Sequence, residues 1–276
     1  CLAILTQLAS AAPAAYPEKH RTTLDASRTI QLAKDGKANC EIVIGRKPYP
    51  VAKFAAQELQ MFLGKVIGDK PPVVAKRSGG VPAIYVGSSK LSEGWCRELW
   101  SLPRDAFVIR SFGDVIFIGG RDDLQMDPMR DLGGKYERAT LFGVYEFLER
   151  FVGVRFYFPG EMGTVTPANP NLAMPCVDLY EEPDCDMRRA SAGPAAKWYE
   201  ELDKETAKRT RILTFLRHRQ QTFYIPCCHG LARRVLAERF AKEHPEWFAV
   251  LPNGKRDTDM ALPGHRGHLC YRSPGL

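Results

Sequence analysis

The sequence predicts an α/β protein: an N-terminal α+β sandwich of the split-βαβ kind, followed by the first units of an incomplete (β/α)8-type barrel. Three observations carry this expectation. Across residues 139–161 a helical pattern, a glycine stop and an alternating strand follow one another without a gap. Across residues 41–87 a strand, a long helix and a second strand can be read, and Phe112-Gly113-Asp114 then marks a hairpin between two apolar stretches. Beyond Pro183, strand and helix patterns alternate, which suggests a parallel α/β layout, the (β/α)8 barrel being one option among such layouts.

In the central stretch, Leu141, Val144, Tyr145, Leu148 and Phe151 recur at helical spacing and share one face, while Glu146, Glu149 and Arg150 fall elsewhere. Gly153 can take the left-handed conformation that ends a helix. Val154, Phe156 and Phe158 then alternate with Arg155 and Tyr157 up to Pro159-Gly160, the pattern of a buried strand.

Upstream, the residues before Glu41 read as a polar entry, and residues 41–44 (EIVI) as a short buried strand. Pro50 opens a helix in which Val51, Phe54, Ala55, Leu59, Phe62, Leu63 and Val66 keep helical spacing until Gly68. Pro71-Pro72 and Gly79-Gly80 bracket a loop or short edge strand, residues 83–87 (AIYVG) form a strand, residues 106–120 hold the hairpin, and residues 121–135 form a polar loop. The order is β-α-β-β-β-α-β, with two helices covering one face of a sheet.

Residues 165–182 are rich in proline and asparagine and read as a linker or edge segment, which sets a domain boundary near Glu182-Pro183. The chain is thereby expected to hold a clipped export signal (1–15), an accessory α/β domain (36–182) and the start of a barrel (183–276). In the last of these, residues 186–190 and 221–226 read as strands, 197–216 and 231–244 as helices, and 247–250 as the beginning of another strand. A full barrel needs about 250 residues, so the stretch after Pro183 holds two or three units.

The 276 residues are 45% hydrophobic and 26% charged, the composition of a folded globular chain rather than a disordered one. The first residues, CLAILTQLASAAPAA, are apolar and then small, and Ala9-Ser10-Ala11 and Ala12-Pro13-Ala14 fit a signal peptidase site. They lack an initiating Met and a charged start, so a longer reading frame is expected upstream. Export to the periplasm or the extracellular space is the expectation, with no integral span in the mature chain, because the apolar part is shorter than the ~20 residues a bilayer crossing takes.

Of the eight cysteines, none form a CxxC pair and Cys227-Cys228 are adjacent, so no dense disulfide framework is expected. The formal charge of +7 gathers among late arginines and lysines, but Glu200 with Lys204, Glu205 with Arg209 and Glu238 with Lys242 stand four apart, as on solvated helix faces. No zinc-finger spacing or aromatic RNA motif accompanies the charge, so nucleic acid is not the expected partner. Retention on heparin that fades with salt would mark the contrary case of anionic-polymer binding.

Two later motifs allow a resemblance to be stated. The run Gly143-Val144-Tyr145-Glu146-Phe147-Leu148-Glu149, Gly153-Val154-Arg155-Phe156 and Pro159-Gly160-Glu161 resembles the end of the non-catalytic α/β domain that precedes the barrel in glycoside hydrolase family 67 α-glucuronidases and in β-hexosaminidases. The run Cys228-His229-Gly230, His244-Pro245-Glu246-Trp247-Phe248-Ala249, Asn253-Gly254-Lys255-Arg256, His268-Leu269-Cys270 and Ser273-Pro274 is similar to the bacterial domain of unknown function 4838. The resemblance implies a carbohydrate partner, a glycosidase-like barrel and a parent activity on O-glycosidic bonds of an oligo- or polysaccharide. It also implies catalytic carboxylates at later barrel strands, past residue 276. The alternative is a non-catalytic glycan-binding or surface-assembly module.

The chemistry within reach is binding. His229 follows a predicted strand, and Arg188 and Arg189 close another, which are the barrel positions that face a ligand. A neutral imidazole both donates to and accepts from hydroxyls, and an arginine grips a uronate carboxylate with two parallel bonds. These three are the substrate-binding candidates, and the local match to the resembled motif supports His229 most. The acidic run Glu181-Glu182, Asp184 and Asp186 reads as structural or solvated. His265, His268 and Cys270 (HRGHLC) are residue types zinc accepts, but their spacing matches no finger or ribbon, and no GxGxxG or GxxxxGK is present. Neither a metal nor a cofactor is expected.

Overall fold

The computed structural model describes residues 18–87, 99–130, 136–188, 202–222, 233–258 and 267–274. The chain divides into two compact units, Cys1–Phe223 and Tyr224–Leu276. The first is a mixed α/β unit built on one seven-stranded sheet.

Its strands are β1 (His20–Gln31), β4 (Glu41–Val43), β5 (Val73–Val74), β6 (Ala83–Val86), β7 (Phe107–Phe112), β8 (Val115–Gly120) and β11 (Ala173–Glu181), in the order β1-β11-β7-β8-β6-β4-β5. The pairs of β4 with β5 and β6, and of β6 with β8, are parallel, whereas β7–β8, β11–β7 and β1–β11 are antiparallel. Two small ribbons, β2 (Ala33–Lys34) with β3 (Lys37–Ala38) and β9 (Arg155–Phe156) with β10 (Thr164–Val165), stand apart. The hairpin reading holds: Phe112 faces Val115 across Gly113-Asp114, and Gly113 takes a positive φ of 61° that favours glycine.

Helix α1 (Pro50–Ile67) starts with Pro50 in its first turn and ends at Gly68, where φ is 94° and the amide donates to Gly64 O. It buries Val51, Ala55, Leu59, Phe62, Leu63 and Val66 of the predicted stripe and leaves Phe54 partly buried against the same core. Helix α2 (Ala139–Phe147) departs from the amphipathic expectation. Every residue except Glu146 is buried, because the sheet and α1 pack against it and Ile212 and Leu216 of α3 (Lys204–Arg217) join the same core. α2 meets the sheet closely at Gly120, where an added Cβ would lie 2.5 Å from Ala139 Cβ and 2.7 Å from Ala106 O. A side chain there has no room.

The start of α2 is capped from a distance. Arg138 holds the N-cap position and makes no side-chain cap, and instead the buried Asp122 accepts from Thr140 N at 2.9 Å and from Tyr49 Oη at 2.7 Å. Burial, only partly opposed by these bonds, pushes the Asp122 carboxyl up to about 7. A carboxyl whose folded value exceeds the unfolded one adds stability below the unfolded value and loses it as pH rises through the folded value. Between about pH 4 and 8 the Asp122→Asn variant should therefore gain on the wild type by on the order of 4 kcal/mol. Urea unfolding of both proteins at each end of that window measures the gap, and a gap that does not move with pH contradicts the assignment.

Three segments differ from their sequence readings. Residues 165–182 are not a linker or an edge. They contain β11, an interior strand flanked by β1 and β7, and the misleading Pro175 sits beside the register shift between Asp25 and Thr29, where the ladder is already interrupted. The polar entry contains β1, an edge strand exposed on most of its length, which leaves only Ile30 as a buried apolar signal. Residues 154–158 form a two-residue strand off the main sheet, and Tyr157 and Phe158 are 66% and 52% exposed. Val154 is fully buried in the core and Phe156 packs against it, edge-on to Phe62 and Tyr145 at 5.2 and 5.6 Å.

The last turn of the central helix is also irregular. Residues Leu148–Val152 form a π-helical turn, closed by Gly153 at φ 88°. Beyond β11, residues 186–188 and 221–222 are not strand, and the rest of those two predicted strands lies outside the described residues. α3 begins after Asp203, which accepts from the amides of Glu205 and Thr206 at 3.1 and 3.0 Å, while residues 197–201 of the predicted helix lie outside the described residues. The compact first unit thus runs past Glu182-Pro183 and takes in α3.

The second unit contains α4 (Arg233–Phe240), shorter than the 231–244 expectation, and a 3-10 turn at Pro245–Trp247. Residues 247–250 form single-residue bridges, Phe248 with Leu269 and Val250 with Arg256, in place of a strand. Among the described residues Cys40, Cys176, Cys185 and Cys270 are free thiols, and burial pushes that of Cys40 up to about 12. Among the same residues no helix is long and apolar enough to cross a membrane.

Candidate functional site

The irregular backbone of the first unit converges on one cleft of about 390 Å³, lined among others by His20, Asp105, Glu146, Arg150, Glu181 and Arg188. Asp105 and Arg219, both at this cleft, are two of the three described non-glycine residues with positive φ, at 65° and 47°. The π-helical turn supplies Arg150. Strained or widened backbone of this kind persists where the surrounding structure fixes it, and it clusters at functional sites.

Charge is the content of the cleft. Arg150 donates to Glu146 at 2.7 Å, to Thr22 Oγ1 at 3.0 Å and to Glu181 at 3.0 Å, joining the π turn to β1 and β11. His20 is held between Glu181 and Asp184, with Nε2 3.1 Å from Asp184 Oδ1. Its hydrogen bonds to Glu181 and then Asp184 raise the imidazole above its ordinary value, despite some opposing burial. Arg219 reaches Glu146 at 3.5 Å and bonds Glu149 as well. His218 Nε2 lies 3.1 Å from Phe156 O.

Of the expected binding residues, Arg188 lies in this cleft, while Arg189 and His229 fall outside the described residues. Arg188 is fixed from three sides. It donates through Nη2 to Asp105 Oδ2 at 2.6 Å, through Nη1 to Cys185 O at 2.7 Å and through Nε to Arg219 O at 3.2 Å. Asp105 is only 2% exposed and also accepts from Thr222 Oγ1, so a buried carboxylate anchors the guanidinium. Three of five N–H donors are used in this way, and among the described residues nothing takes the remaining two on this partly buried side chain.

Sequence reasoning missed His20, Arg150 and Asp105. The only available signal was Glu181 in its acidic run, because the partners come from segments up to 161 residues apart. Every acid lining the cleft bonds a basic side chain: Glu146 and Glu181 bond Arg150, Asp184 bonds His20, Asp105 bonds Arg188, and Glu182 meets Lys19 at 3.8 Å. This arrangement presents a rigid, preorganised polar surface, suited to holding hydroxyls or an anionic group. Among the described residues no group of three or more His, Cys, Asp or Glu could hold a metal ion.

Residues 158–275 match the family model described as Domain of unknown function (DUF4838). No curated protein matches the chain. Among solved structures the chain is similar to Streptomyces plicatus N-acetyl-beta-hexosaminidase in complex with Thio-NAglucal (13% identity, 61% of this chain, 26% of that chain, TM-score 0.37). It is also similar to CpGH84D (10% identity, 63% and 24% covered, TM-score 0.36). A third is the GH20 exo beta-N-acetylglucosaminidase from Vibrio harveyi in complex with N-acetylglucosamine (13% identity, 62% and 19% covered, TM-score 0.35). The chain spans about a quarter or less of the length of these structures. Likenesses at TM-scores this low carry no inference about chemistry.

Proposed function

We propose that this chain is the sugar-holding region of an exported carbohydrate-active protein, one whose parent activity is hydrolysis of O-glycosidic bonds in an oligo- or polysaccharide. The observation that carries the reading is Arg188, a guanidinium locked by a buried carboxylate and two carbonyls at the wall of a charged cleft. A cation held in this way loses little side-chain freedom when it takes a uronate carboxylate or a pair of hydroxyls. Arg189 and His229 are kept in the proposal as sugar-binding residues on the sequence motif alone, with His229 both donating to and accepting from hydroxyls. The chain after Pro183 is proposed as the opening of a glycosidase-like barrel.

Because each acid of the cleft already bonds a basic side chain, the cleft's part is to bind rather than to cleave. The same feature favours a second reading, a non-catalytic glycan-binding or surface-assembly module. Screening the full chain on a glycan array of neutral and uronate-bearing oligosaccharides, followed by calorimetry on the best hit, tests the proposal. Uronate-bearing glycans should bind best, and Arg188→Lys, which keeps a cation beside the buried Asp105 but loses the planar fork, should weaken binding at least about tenfold in a chain that still unfolds cooperatively. Failure to bind any glycan, or equal affinity in the variant, would overturn the assignment of Arg188.

A further inference from the structure

His20 is the first residue of β1, and β1 lies at the edge of the sheet with only β11 beside it. Directly across the ladder stands Glu181, the last residue of β11, and three residues further on stands Asp184. The imidazole sits between these two acids: Nδ1 meets Glu181 Oε2, and Nε2 lies 3.1 Å from Asp184 Oδ1. An ionised carboxylate only accepts, and a neutral imidazole has one N–H to give. Both bonds together therefore need the doubly protonated ring, and a ring that loses a proton must let one carboxylate go.

Which one leaves is set by its surroundings. The Glu181 side chain is 16% exposed and is gripped from its other side by Arg150 Nη2 at 3.0 Å. That of Asp184 is 77% exposed, and among the described residues His20 is the only partner of its carboxylate. Asp184 is thus the acid released. It precedes Cys185, whose carbonyl takes Arg188 Nη1 at 2.7 Å, so a hold on Asp184 also steadies an anchor of Arg188. The other charges nearby are matched: Glu182 meets Lys19 at 3.8 Å, Arg21 bonds Asp178, and Arg150 and Arg219 both reach Glu146. His218, the second imidazole lining the cleft, faces Phe156 O and no carboxylate.

We propose that His20 is a proton-operated latch on the cleft: protonated, it clips residues 183–185 to β1 and offsets Asp184; neutral, it frees that turn and leaves Asp184 an unmatched carboxylate at the cleft wall. The bonds to Glu181 and then Asp184 raise the imidazole above its ordinary value. The latch is therefore complete below the ordinary value and is lost as pH rises through the raised one. The inference rests on the proposed carbohydrate function for its ligand and adds regulation to it. Uronate-bearing glycans are held more weakly as pH rises, and neutral ones respond less.

Two amides report the latch without any ligand. Glu182 N donates to Lys19 O at 2.7 Å beside it, and Gln221 N donates to Arg188 O at 3.0 Å beyond the turn. Hydrogen exchange of the full chain is read on either side of the His20 midpoint found by NMR and corrected for the intrinsic pH dependence of amides. Above the midpoint both amides should exchange about two- to fivefold faster, the worth of an exposed ion pair. His20→Gln, uncharged at every pH, should show the faster exchange throughout, and Asp184→Asn should bring the His20 midpoint down. Corrected exchange that ignores the midpoint, or a midpoint that Asp184→Asn does not move, overturns the latch. Calorimetry with the best uronate-bearing glycan should show affinity falling by a similar factor across the midpoint in the wild type and staying low in His20→Gln. Equal affinity on both sides, with binding still weakened in Arg188→Lys, overturns the regulation and leaves the carbohydrate reading standing. A wild type that binds no glycan, with exchange that follows the midpoint, overturns the carbohydrate reading and leaves the latch standing.

Discussion

Replacing Arg138 with methionine will destabilise the first unit by about 3–5 kcal/mol, close to the whole stability of many domains of this size. The side chain is fully buried, and its Nη2 donates to Gln220 O and Gln221 O, each at 3.0 Å, while Nη1 reaches Tyr136 O at 3.4 Å. Its guanidinium also lies over the rings of Tyr136, Phe142 and Phe215, at 4.9, 5.4 and 5.0 Å. Burial lowers its affinity for the proton, and nearby acceptors, Tyr136 and Asp105 among them, favour the charge. Methionine keeps the stem and part of the ring contact but leaves two buried carbonyls without this donor, and each such loss costs about 1–3 kcal/mol. Lysine will not rescue the protein, because an ammonium cannot both stack on three rings and bridge two carbonyls with a flat fork. Guanidinium chloride unfolding followed by far-UV circular dichroism measures the loss. A penalty under about 1 kcal/mol would mean that the carbonyls find water.

Truncating Glu58 to alanine should cost a similar amount, about 3–5 kcal/mol, for the opposite reason: it strands a cation. Glu58 on α1 accepts from Arg217 of α3 through Nε at 2.9 Å and Nη2 at 3.2 Å, and from Tyr145 Oη of α2 at 3.1 Å. One carboxylate therefore ties three helices together. Burial opposes the charge on Arg217, and the Glu58 carboxylate outweighs that effect, so the guanidinium ends above its ordinary value. Burial likewise carries the Tyr145 phenol well above its usual range. Phe62 and Phe156 face the Arg217 guanidinium at 5.0 and 5.5 Å, an environment that can accept an apolar substitute. The double variant Glu58→Leu with Arg217→Met should recover much of the loss, and a double-mutant cycle gives the coupling. Additive single effects would show that the Glu58–Arg217 pair contributes no coupling and that the apolar contacts of α3, Ile212 and Leu216 among them, hold it.

What the sequence made legible is what local rules encode. Pro50 and Gly68 bracket a continuous apolar stripe, Gly113 sits where a two-residue turn needs positive φ, and Gly153 stops a helix. β11 was hidden because Pro175 and the asparagines before it resemble punctuation, yet a register shift absorbs the missing N–H. β1 was hidden because an edge strand exposed on both faces does not alternate. The buried polar links, Asp122 to Thr140 and Glu58 to Arg217, join residues 18 and 159 positions apart, and nothing in either local pattern names the partner. Arg188 was selected as a residue at the end of a barrel strand. In the structure it belongs to the first unit, on a segment that is not strand, and the buried Asp105 holds it in the cleft.

The π turn at Leu148–Val152 also makes the cleft depend on chain length. A turn closed by an i→i+5 bond carries one residue more than an α turn, and that extra residue sets the direction in which Arg150 leaves the helix. Removing one residue from this turn would rotate the downstream helical residues by about 100° and swing Arg150 away from Glu181, since each helical residue advances by that angle. The number of residues between Phe147 and Gly153 therefore decides whether the central helix is tied to β11 at all, and with it whether the cleft keeps its shape.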